Sequence, residues 1–262
     1  MKIVVCIKQV PGTMLVDIDP ETGVLQRSGI SAKMNPYDLY ALETALILKQ
    51  QTGAHVTALT MGPPQAKSII KEAYMMGADD GVILCDNAFA GSDVLATSYA
   101  LSGAIAHIGE VDMIICGKQT TDGDTAQVGP AIAEHLNIPH VTWVQRIEEI
   151  DSSHIVVEQN MEDSFEVVRM PYPCLITVEK DIHTPRLPSY LNYKKTLNQQ
   201  ITVLTLADLI DQDEDNYGLS GSPTQVERVF SPSPRGEQTM WDCESVDGAA
   251  LLYDLLAADK FV

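Results

Sequence analysis

A polar, glycine-rich stretch at residues 117–130, GKQTTDGDTAQVGP, has the composition of a loop that binds phosphate. Gly117, Gly123 and Gly129 allow a ligand or a neighbouring backbone to come close. The threonine hydroxyls can donate hydrogen bonds, and the N–H groups at the start of a following helix can bind an anion. The stretch therefore predicts a pyrophosphate-binding loop, although a capped loop without a ligand has the same composition.

This stretch fits neither of the common nucleotide-binding fingerprints. It lacks the GxGxxG spacing, and Lys118 precedes the turn instead of following it as in a Walker motif. Asp122 and Asp124 would repel phosphate unless they accept hydrogen bonds from N–H groups or from a ribose. We therefore expect capping and ribose contacts from these carboxylates, not catalysis or metal binding.

Two other segments follow strand-like runs, where an open parallel sheet binds its ligands. Residues 8–12, KQVPG, place a lysine after the first run, and residues 61–64, MGPP, form a stiff turn ahead of a helix. A solvated lysine beside a turn and a plain strand-to-helix connection are the ordinary interpretations of these segments. Their position at strand ends makes them candidates for the same site as residues 117–130.

No set of side chains in the sequence has the pattern of a catalytic centre. The six histidines never pair at metal-ligand spacing, and no serine or cysteine lies in a nucleophile motif. The five cysteines are widely spaced without a CxxC pair, which favours buried free thiols over disulfides or zinc. We predict no catalytic residue and no metal, so electron transfer here would need a bound cofactor.

Strand-like and helix-like runs alternate along the first 144 residues. Asn35 is predicted to cap the first helix, Pro36 to occupy its first position and Gly53 to end it. Regular alternation with short connections predicts a doubly wound, mostly parallel α/β sheet of the Rossmann-like, nucleotide-binding kind. The predicted strands are 3–7, 55–61, 81–85, 113–116 and 140–144, and the predicted helices are 36–52, 64–76, 92–108 and 125–136.

The pattern changes after Val144. Runs of mixed polarity at 147–150, 154–160, 165–170 and 174–179 predict antiparallel strands that extend the sheet at one edge. Beyond residue 184, prolines interrupt every apolar run and the acidic string 211–215 is too polar to pack. We predict a nucleotide-binding domain at 1–183 and a partner-recognition segment at 184–262. The latter combines an extended arm with a C-terminal helix from Ser245 that packs on a partner.

The overall charge excludes two classes of partner. The chain has 17 Lys and Arg against 36 Asp and Glu, a formal net charge of −19, which repels nucleic acid and anionic membrane surfaces. No apolar run approaches the ~20 residues of a membrane span, and the N-terminus lacks a signal-peptide pattern. We expect a cytoplasmic protein that binds neither nucleic acid nor membrane.

Four motifs together resemble the beta subunit of electron transfer flavoproteins, over essentially the whole chain and in the same order. They are NPYDLYALETAL, MGPPQA, MGADDGVIL and GKQTTDGDTAQVGP. The resemblance implies a heterodimer with an alpha subunit that carries FAD. It also implies a nucleotide on this chain, with Cys6 behind the adenine, residues 35–38 and Met61 beside the adenosine, and residues 117–128 around the ribose and phosphates. The implied cofactor-binding residues are Cys6, Asn35, Pro36, Tyr37, Asp38, Met61, Gly117, Lys118, Gln119, Thr120, Thr121, Asp122, Gly123, Asp124, Thr125, Ala126, Gln127 and Val128.

The nucleotide implied by the resemblance is either FAD or AMP. DGDTAQVGP, AGSDVLATSYAL and GLSGSPTQV are more similar to the electron-bifurcating anaerobic members, which hold FAD here, than to the respiratory members, which hold structural AMP. The FAD interpretation implies that this chain takes electrons from NADH and passes them, by bifurcation, through the alpha-subunit FAD. It would place Asp93 and Thr97 near the flavin or an incoming nicotinamide, although simple helix solubility also explains them.

The docking segment departs from the family pattern. The family has a leucine anchor and a lysine-rich run after Pro185 and Arg186, whereas this chain reads LPSYLNYKKTLNQQ. Tyr190 or Leu191 would have to serve as the anchor for a flavin-dependent dehydrogenase of the acyl-CoA or hydroxy-acid type. A nucleotide-hydrolysing or nucleotide-sensing domain is a further interpretation of the same loop.

Overall fold

A computed structural model describes residues 1–12, 32–227, 240, 242 and 244–261. Residues 1–12 and 32–227 belong to one compact unit, and the remaining described residues belong to a second. The sequence predicts a functional division at residue 184, between a nucleotide-binding domain and a partner-recognition segment, and this functional division stays a prediction.

The first unit is built on a large sheet flanked by helices. Its strands are β1 (Lys2–Cys6), β2 (Gln9–Pro11), β3 (Ala32–Met34), β4 (His55–Met61), β5 (Asp80–Leu84), β6 (Met113–Gly117), β7 (His140–Ile150), β8 (His154–Asn160), β9 (Phe165–Pro171), β10 (Cys174–Val178) and β11 (Thr202–Leu204). Its helices are α1 (Pro36–Thr52), α2 (Lys67–Met76), α3 (Val94–Ile108), α4 (Val128–Leu136) and α5 (Tyr190–Thr196).

Among the described residues, nine strands form one sheet in the order β11-β5-β4-β1-β6-β10-β7-β8-β9. The pairs from β11 to β7 are all parallel, and β8 and β9 continue antiparallel at one edge. Helices α1 and α2 bury their apolar sides on one face, and α3 and α4 on the other. The predicted doubly wound, mostly parallel α/β fold is confirmed.

The order of the strands reverses at β1. From β1 the chain passes through α1 and α2 to β4 and β5 on one side, then returns through α3 to β6 on the other side. The chain therefore builds the sheet outward from β1 first towards β4 and β5, and then in the opposite direction from β6. Such a reversal opens a crevice at the carboxyl ends of the two central strands, here β1 and β6.

Two predictions about the second half of the sheet were wrong. The run 174–179 was expected at an antiparallel edge, but β10 lies between β6 and β7 and is parallel to both. Its five residues, CLITV, are all buried, as the apolar run of a strand covered on both faces requires. The predicted strands 140–144 and 147–150 are one strand, β7, whose pairing with β8 contains register shifts.

The segment after residue 200 packs on the core, contrary to the predicted extended arm. Strand β11 pairs in parallel with β5, and Leu206, Leu209 and Tyr217 are buried in the α3 and α4 side of the core. The acidic string contributes too, because Asp211 Oδ2 accepts a hydrogen bond from the Tyr99 hydroxyl at 2.8 Å. Apolar pairs and a single tyrosine between polar residues carry this packing, and such runs are too short to give a periodic signal.

The second unit contains helix α6 (Ser245–Ala258), which confirms the predicted C-terminal helix. Leu251, Leu252, Tyr253 and Leu255 are exposed within it. That it packs on a partner stays a prediction. None of the helices in the described ranges combines the length and apolarity needed to cross a membrane.

Candidate functional site

The crevice at the reversal point is bounded by the ends of β1 and β6. Cys6 and Cys116 are register partners on these strands. The chain continues from β1 to Lys8 and from β6 into residues 117–127, so two of the segments singled out in the sequence meet here. Asn35 and Asp38, at the start of α1, lie between them through the contacts described next.

Gly117 is the point of closest approach between the β6 loop and α1. A Cβ atom on Gly117 would lie 2.6 Å from Asp38 Oδ1, 2.7 Å from the Tyr37 carbonyl carbon and 2.8 Å from the Tyr37 carbonyl oxygen. Such distances are shorter than any normal non-bonded contact. Only glycine therefore allows the loop to leave β6 against the first turn of α1.

Asn35 joins the loop to α1. Its side chain is fully buried. Its Nδ2 donates to Asp38 Oδ1 and to the Gln119 carbonyl oxygen, both at 2.9 Å, and its Oδ1 accepts from the Thr121 N–H at 3.2 Å. Asn35 occupies the position before Pro36 as predicted, but its side chain makes no cap hydrogen bond. The predicted capping role was wrong, because the side chain serves the loop instead.

Asp38 belongs to the same hydrogen-bond network. Oδ2 accepts a hydrogen bond from the Lys8 N–H at 2.7 Å, so the carboxyl group holds the chain after β1 as well as Asn35. Burial raises the pKa of Asp38 to about 7, against the opposing effect of these hydrogen bonds. The carboxyl group therefore titrates near neutral pH.

The titration of Asp38 should be visible in folding stability. Because the folded pKa of about 7 lies above the ordinary value of 3.8, its contribution is complete at low pH and is lost as pH rises through about 7. Between about pH 5 and about pH 8 the wild type should lose about 2 kcal/mol relative to Asp38→Asn. Urea unfolding at both pH values measures this difference.

Asp163→Asn, at an exposed position, controls for the change in net charge. If the free energy of unfolding changes equally with pH in the wild type and in Asp38→Asn, this carboxyl group does not titrate in the folded protein between about pH 5 and about pH 8.

The loop between β6 and α4 is exposed and tightly turned. Its turn is closed by hydrogen bonds from the Asp124 N–H to the Thr120 carbonyl oxygen at 3.1 Å and from the Gly123 N–H to Asp122 Oδ1 at 2.8 Å. Asp124 and Ala126 have positive φ angles of 53° and 55°. These left-handed residues exclude a helix before Val128, so the helix predicted from residue 125 begins three residues later than expected.

Hydrogen-bond donors of this loop remain free. Within the described ranges, neither the hydroxyls of Thr121 and Thr125 nor the N–H groups of Thr125 and Ala126 have a hydrogen-bond acceptor in the protein. They stand at the amino end of α4, where the helix dipole favours negative charge. The loop therefore offers the donors that an anionic ligand such as a pyrophosphate requires.

Lys8 brings a cation to the edge of the loop. Its Nζ lies 2.8 Å from Asp122 Oδ2 and 2.9 Å from Oδ1, with both side chains partly exposed. Partial burial favours a higher pKa of Asp122, but the hydrogen bond and charge of Lys8, together with hydrogen bonds from Thr120 and Gly123, outweigh it and lower that pKa. Lys8 can reach a phosphate only by giving up part of this ion pair.

Lys118 is held by partners that the sequence did not reveal. Its Nζ lies 2.9 Å from Glu179 Oε1 and 4.2 Å from the centre of the Trp143 ring. Trp143 has a φ of 56°, which is unusual for a bulky residue, and its N–H donates to Thr177 Oγ1 at 3.0 Å. No motif marks Trp143 or Glu179, because their role arises from the pairing of β7 with β10.

The other predicted residues divide into two groups. Met61 and Cys6 end neighbouring strands and are partly buried in the same apolar cluster. Tyr190 and Leu191 begin α5, which packs on α2, and their side chains are 67% and 69% exposed. They do not contribute to the loop site, and their role as a docking anchor stays a prediction.

Asp93 has a structural role within the described residues. Its carboxylate accepts from the Ala96 N–H at 3.1 Å, capping α3, and from the Thr224 hydroxyl at 2.7 Å. The Asp93 N–H in turn donates to Ser222 Oγ at 2.9 Å. The segments 90–101 and 218–226, far apart in sequence, therefore meet beyond the carboxyl end of β5. Thr97 lies in the first turn of α3, and its proximity to a flavin stays a prediction.

Fold and site together define an open, doubly wound α/β protein with a donor-rich loop at its reversal point, the candidate site for an anion. Residues 22–209 match the model of the electron transfer flavoprotein domain. The chain is 43% identical over 262 residues to the electron transfer flavoprotein subunit beta of Clostridium acetobutylicum, covering 100% of both chains. The chain belongs to the electron transfer flavoprotein family, and it matches beta subunits of that family along its full length.

Two further relatives have names that refer to more specialised systems. The caffeyl-CoA reductase-Etf complex subunit CarD of Acetobacterium woodii is 44% identical over 237 residues, covering 90% of each chain. The protein FixA of Azorhizobium caulinodans is 43% identical over 263 residues, covering 97% of this chain and 94% of the relative. These matches confirm the resemblance to electron transfer flavoprotein beta subunits that the four sequence motifs indicate.

Proposed function

We propose that this chain is the beta subunit of an electron-bifurcating electron transfer flavoprotein and holds FAD in the loop of residues 117–128. It forms a heterodimer with an alpha subunit, takes electrons from NADH and passes them through the alpha-subunit FAD to a flavin-dependent dehydrogenase. The proposal rests on the loop. Asn35 holds the loop at the Gln119 carbonyl oxygen and the Thr121 N–H, while the hydroxyl and N–H donors of the loop at residues 125 and 126 stay free within the described ranges.

The residues of the crevice fit a dinucleotide. Free N–H and hydroxyl donors at the start of α4 suit a pyrophosphate, and Lys8 supplies a positive charge that can move onto it. Asp122 and Asp124, as acceptors, suit ribose hydroxyls. A flavin held there would supply the hydride and single-electron chemistry, which no side chain of the protein can perform.

The choice of FAD over AMP is supported by the contact between two distant segments. AGSDVLATSYAL and GLSGSPTQV both resemble the members that hold FAD, and Asp93 joins them through Ser222 and Thr224. A nucleotide limited to AMP gives no reason for these segments to meet beyond the carboxyl end of β5, on the side of the sheet from which the phosphate loop leaves β6. The name of CarD, a subunit of a caffeyl-CoA reductase complex, supports an acyl-CoA type of dehydrogenase as partner.

The test of this proposal is the nucleotide content of the co-purified heterodimer, obtained by extraction and chromatography. Two FAD and no AMP per heterodimer are expected. One FAD and one AMP would contradict the proposal and would limit this chain to docking a dehydrogenase around a structural nucleotide. Reduction of the complex by NADH under anaerobic conditions tests the proposed donor separately.

Lys8→Met should weaken FAD binding about tenfold, because it removes a positive charge that can bind the phosphates. The loss stays moderate because the interaction energy of a partly exposed ion pair is smaller than that of a buried one. The loss should shrink as salt rises, since salt screens the charge that is removed. Equilibrium titration of the stripped heterodimer at two salt concentrations measures both effects. Lys71→Met, an exposed lysine on α2, is the matched control, and equal affinity in both variants would exclude Lys8 from the site.

A further inference from the structure

Cys6 and Cys116 form a pair of thiols at the floor of the crevice. They are direct register partners on the parallel strands β1 and β6. Neighbouring strands lie about 4.8 Å apart, which is within the range of Cα separations that a disulfide spans. Both side chains belong to the same apolar cluster, on the α3 and α4 side of the sheet. They therefore point to the same face and lie side by side.

The two thiols differ in exposure and acidity. Cys116 is buried, whereas Cys6 is partly exposed. The hydrogen bond between the two thiols, together with burial, raises the pKa of Cys116 well above its usual range. A reagent in solution therefore meets Cys6 first, and Cys116 is already in contact with it as the second thiol.

The pair is connected to both walls of the nucleotide site. Cys116 directly precedes Gly117, whose backbone lies against Tyr37 and Asp38. Cys6 is two residues before Lys8, whose N–H is held by Asp38. Any bond between the two sulfur atoms ties together the strand ends from which these two walls begin.

We propose that Cys6 and Cys116 are a thiol–disulfide exchange site, at which a low-molecular-weight disulfide such as oxidised glutathione closes a bond between β1 and β6. Cys6 loses its proton to solvent and attacks the disulfide, forming a mixed disulfide and releasing one thiol. Cys116 then attacks the Cys6 sulfur, and its proton passes to the departing sulfur, which leaves as the second thiol. The protein loses two hydrogen atoms, and one small disulfide is reduced to two thiols.

Formation of this bond requires no nucleotide, but it changes the site that we propose for FAD. A bond across the strand ends draws the two sulfur atoms together behind the expected adenine position and turns both Cys6 and Cys116 side chains from their reduced conformations. Bound nucleotide should therefore slow the reaction of Cys6, and the oxidised protein should bind FAD at least about tenfold more weakly, since each 1.4 kcal/mol is a tenfold change.

The experiment treats the full-length chain with oxidised glutathione, blocks the remaining thiols by alkylation and identifies the products by peptide mass spectrometry. Cys85 provides an internal control. It is partly exposed, it directly follows β5, and neither strand next to β5 places a cysteine beside it among the described residues. We expect a lasting glutathione adduct on Cys85 and a cross-linked Cys6–Cys116 peptide, reversed by dithiothreitol. In Cys116→Ser the adduct on Cys6 should persist like the one on Cys85.

Three results would overturn the proposal. They are modification of Cys85 without reaction at Cys6, separate adducts on Cys6 and Cys116 without a cross-link, and a Cys6 adduct of equal lifetime in the wild type and Cys116→Ser. A cross-link that forms equally fast with and without saturating FAD would support the thiol pair. That same result would contradict the proposed position of the nucleotide, so the two proposals fail separately.

Discussion

Asn35→Ala should weaken nucleotide binding about 100-fold, which corresponds to about 2.7 kcal/mol. The fully buried amide holds the Gln119 carbonyl oxygen and the Thr121 N–H at once, so its removal frees the loop on both sides. It also leaves Asp38 Oδ1 without its donor in a buried position, which should lower the free energy of unfolding by about 2 kcal/mol. Titration calorimetry and urea unfolding measure the two effects.

Asn160→Ala, at the outer end of β8, is the matched control because it removes the same side chain far from the reversal point in the strand order. Its nucleotide affinity should equal that of the wild type. An Asn35→Ala protein that binds the nucleotide normally would show that the geometry of residues 119–121 does not determine binding.

Gly117→Ala should destabilise the protein by about 2 kcal/mol or more and abolish nucleotide binding. The new methyl group would stand 2.6 Å from Asp38 Oδ1 and 2.7 Å from the Tyr37 carbonyl carbon, so either β6 or the first turn of α1 must shift. The loop of residues 117–128 begins at this point and would move with it. Thermal unfolding and nucleotide titration check both results.

Gly103→Ala is the matched control in the neighbouring helix α3. A Cβ atom there meets only Leu209 side-chain atoms, the nearest at 3.5 Å, an ordinary van der Waals contact. Because alanine favours a helix over glycine, this variant should gain up to about 1 kcal/mol. A Gly117→Ala protein as stable as Gly103→Ala would mean that the contact between β6 and α1 is loose.

Local sequence patterns predicted the alternating core of the fold. Buried strands such as Ile3–Val5 are short β-branched runs, and Pro36 and Gly53 mark the two ends of α1. Local patterns do not predict the order of strands in the sheet, because that order depends on which strands pair across long stretches of chain. The insertion of β10 between β6 and β7 therefore could not be derived from its sequence, although four of its five residues, CLITV, are apolar, which is a signal of a central position.

The candidate site was predictable in its location but not in its internal contacts. Residues 117–130 stood out through glycine and threonine content, and the rule for ligands at strand ends selected the segments after β1 and β4. The bonds of Asn35 to residues 84 and 86 positions away could not be predicted, since they require the fold. The left-handed backbone of Trp143 and its contact with Lys118 had no sequence signal for the same reason.

The nucleotide that we propose in residues 117–128 should be displaced by a single substitution, Thr125→Trp. Thr125 lies in the exposed part of the loop with its hydroxyl and N–H free of acceptors within the described residues, so an indole there fills the space for the phosphates. The nucleotide content of the variant heterodimer is compared with that of Ser152→Trp, a control in the exposed turn between β7 and β8. We expect Thr125→Trp to lose the nucleotide of this chain and keep the alpha-subunit FAD, whereas retention of both nucleotides would contradict the assignment of the site.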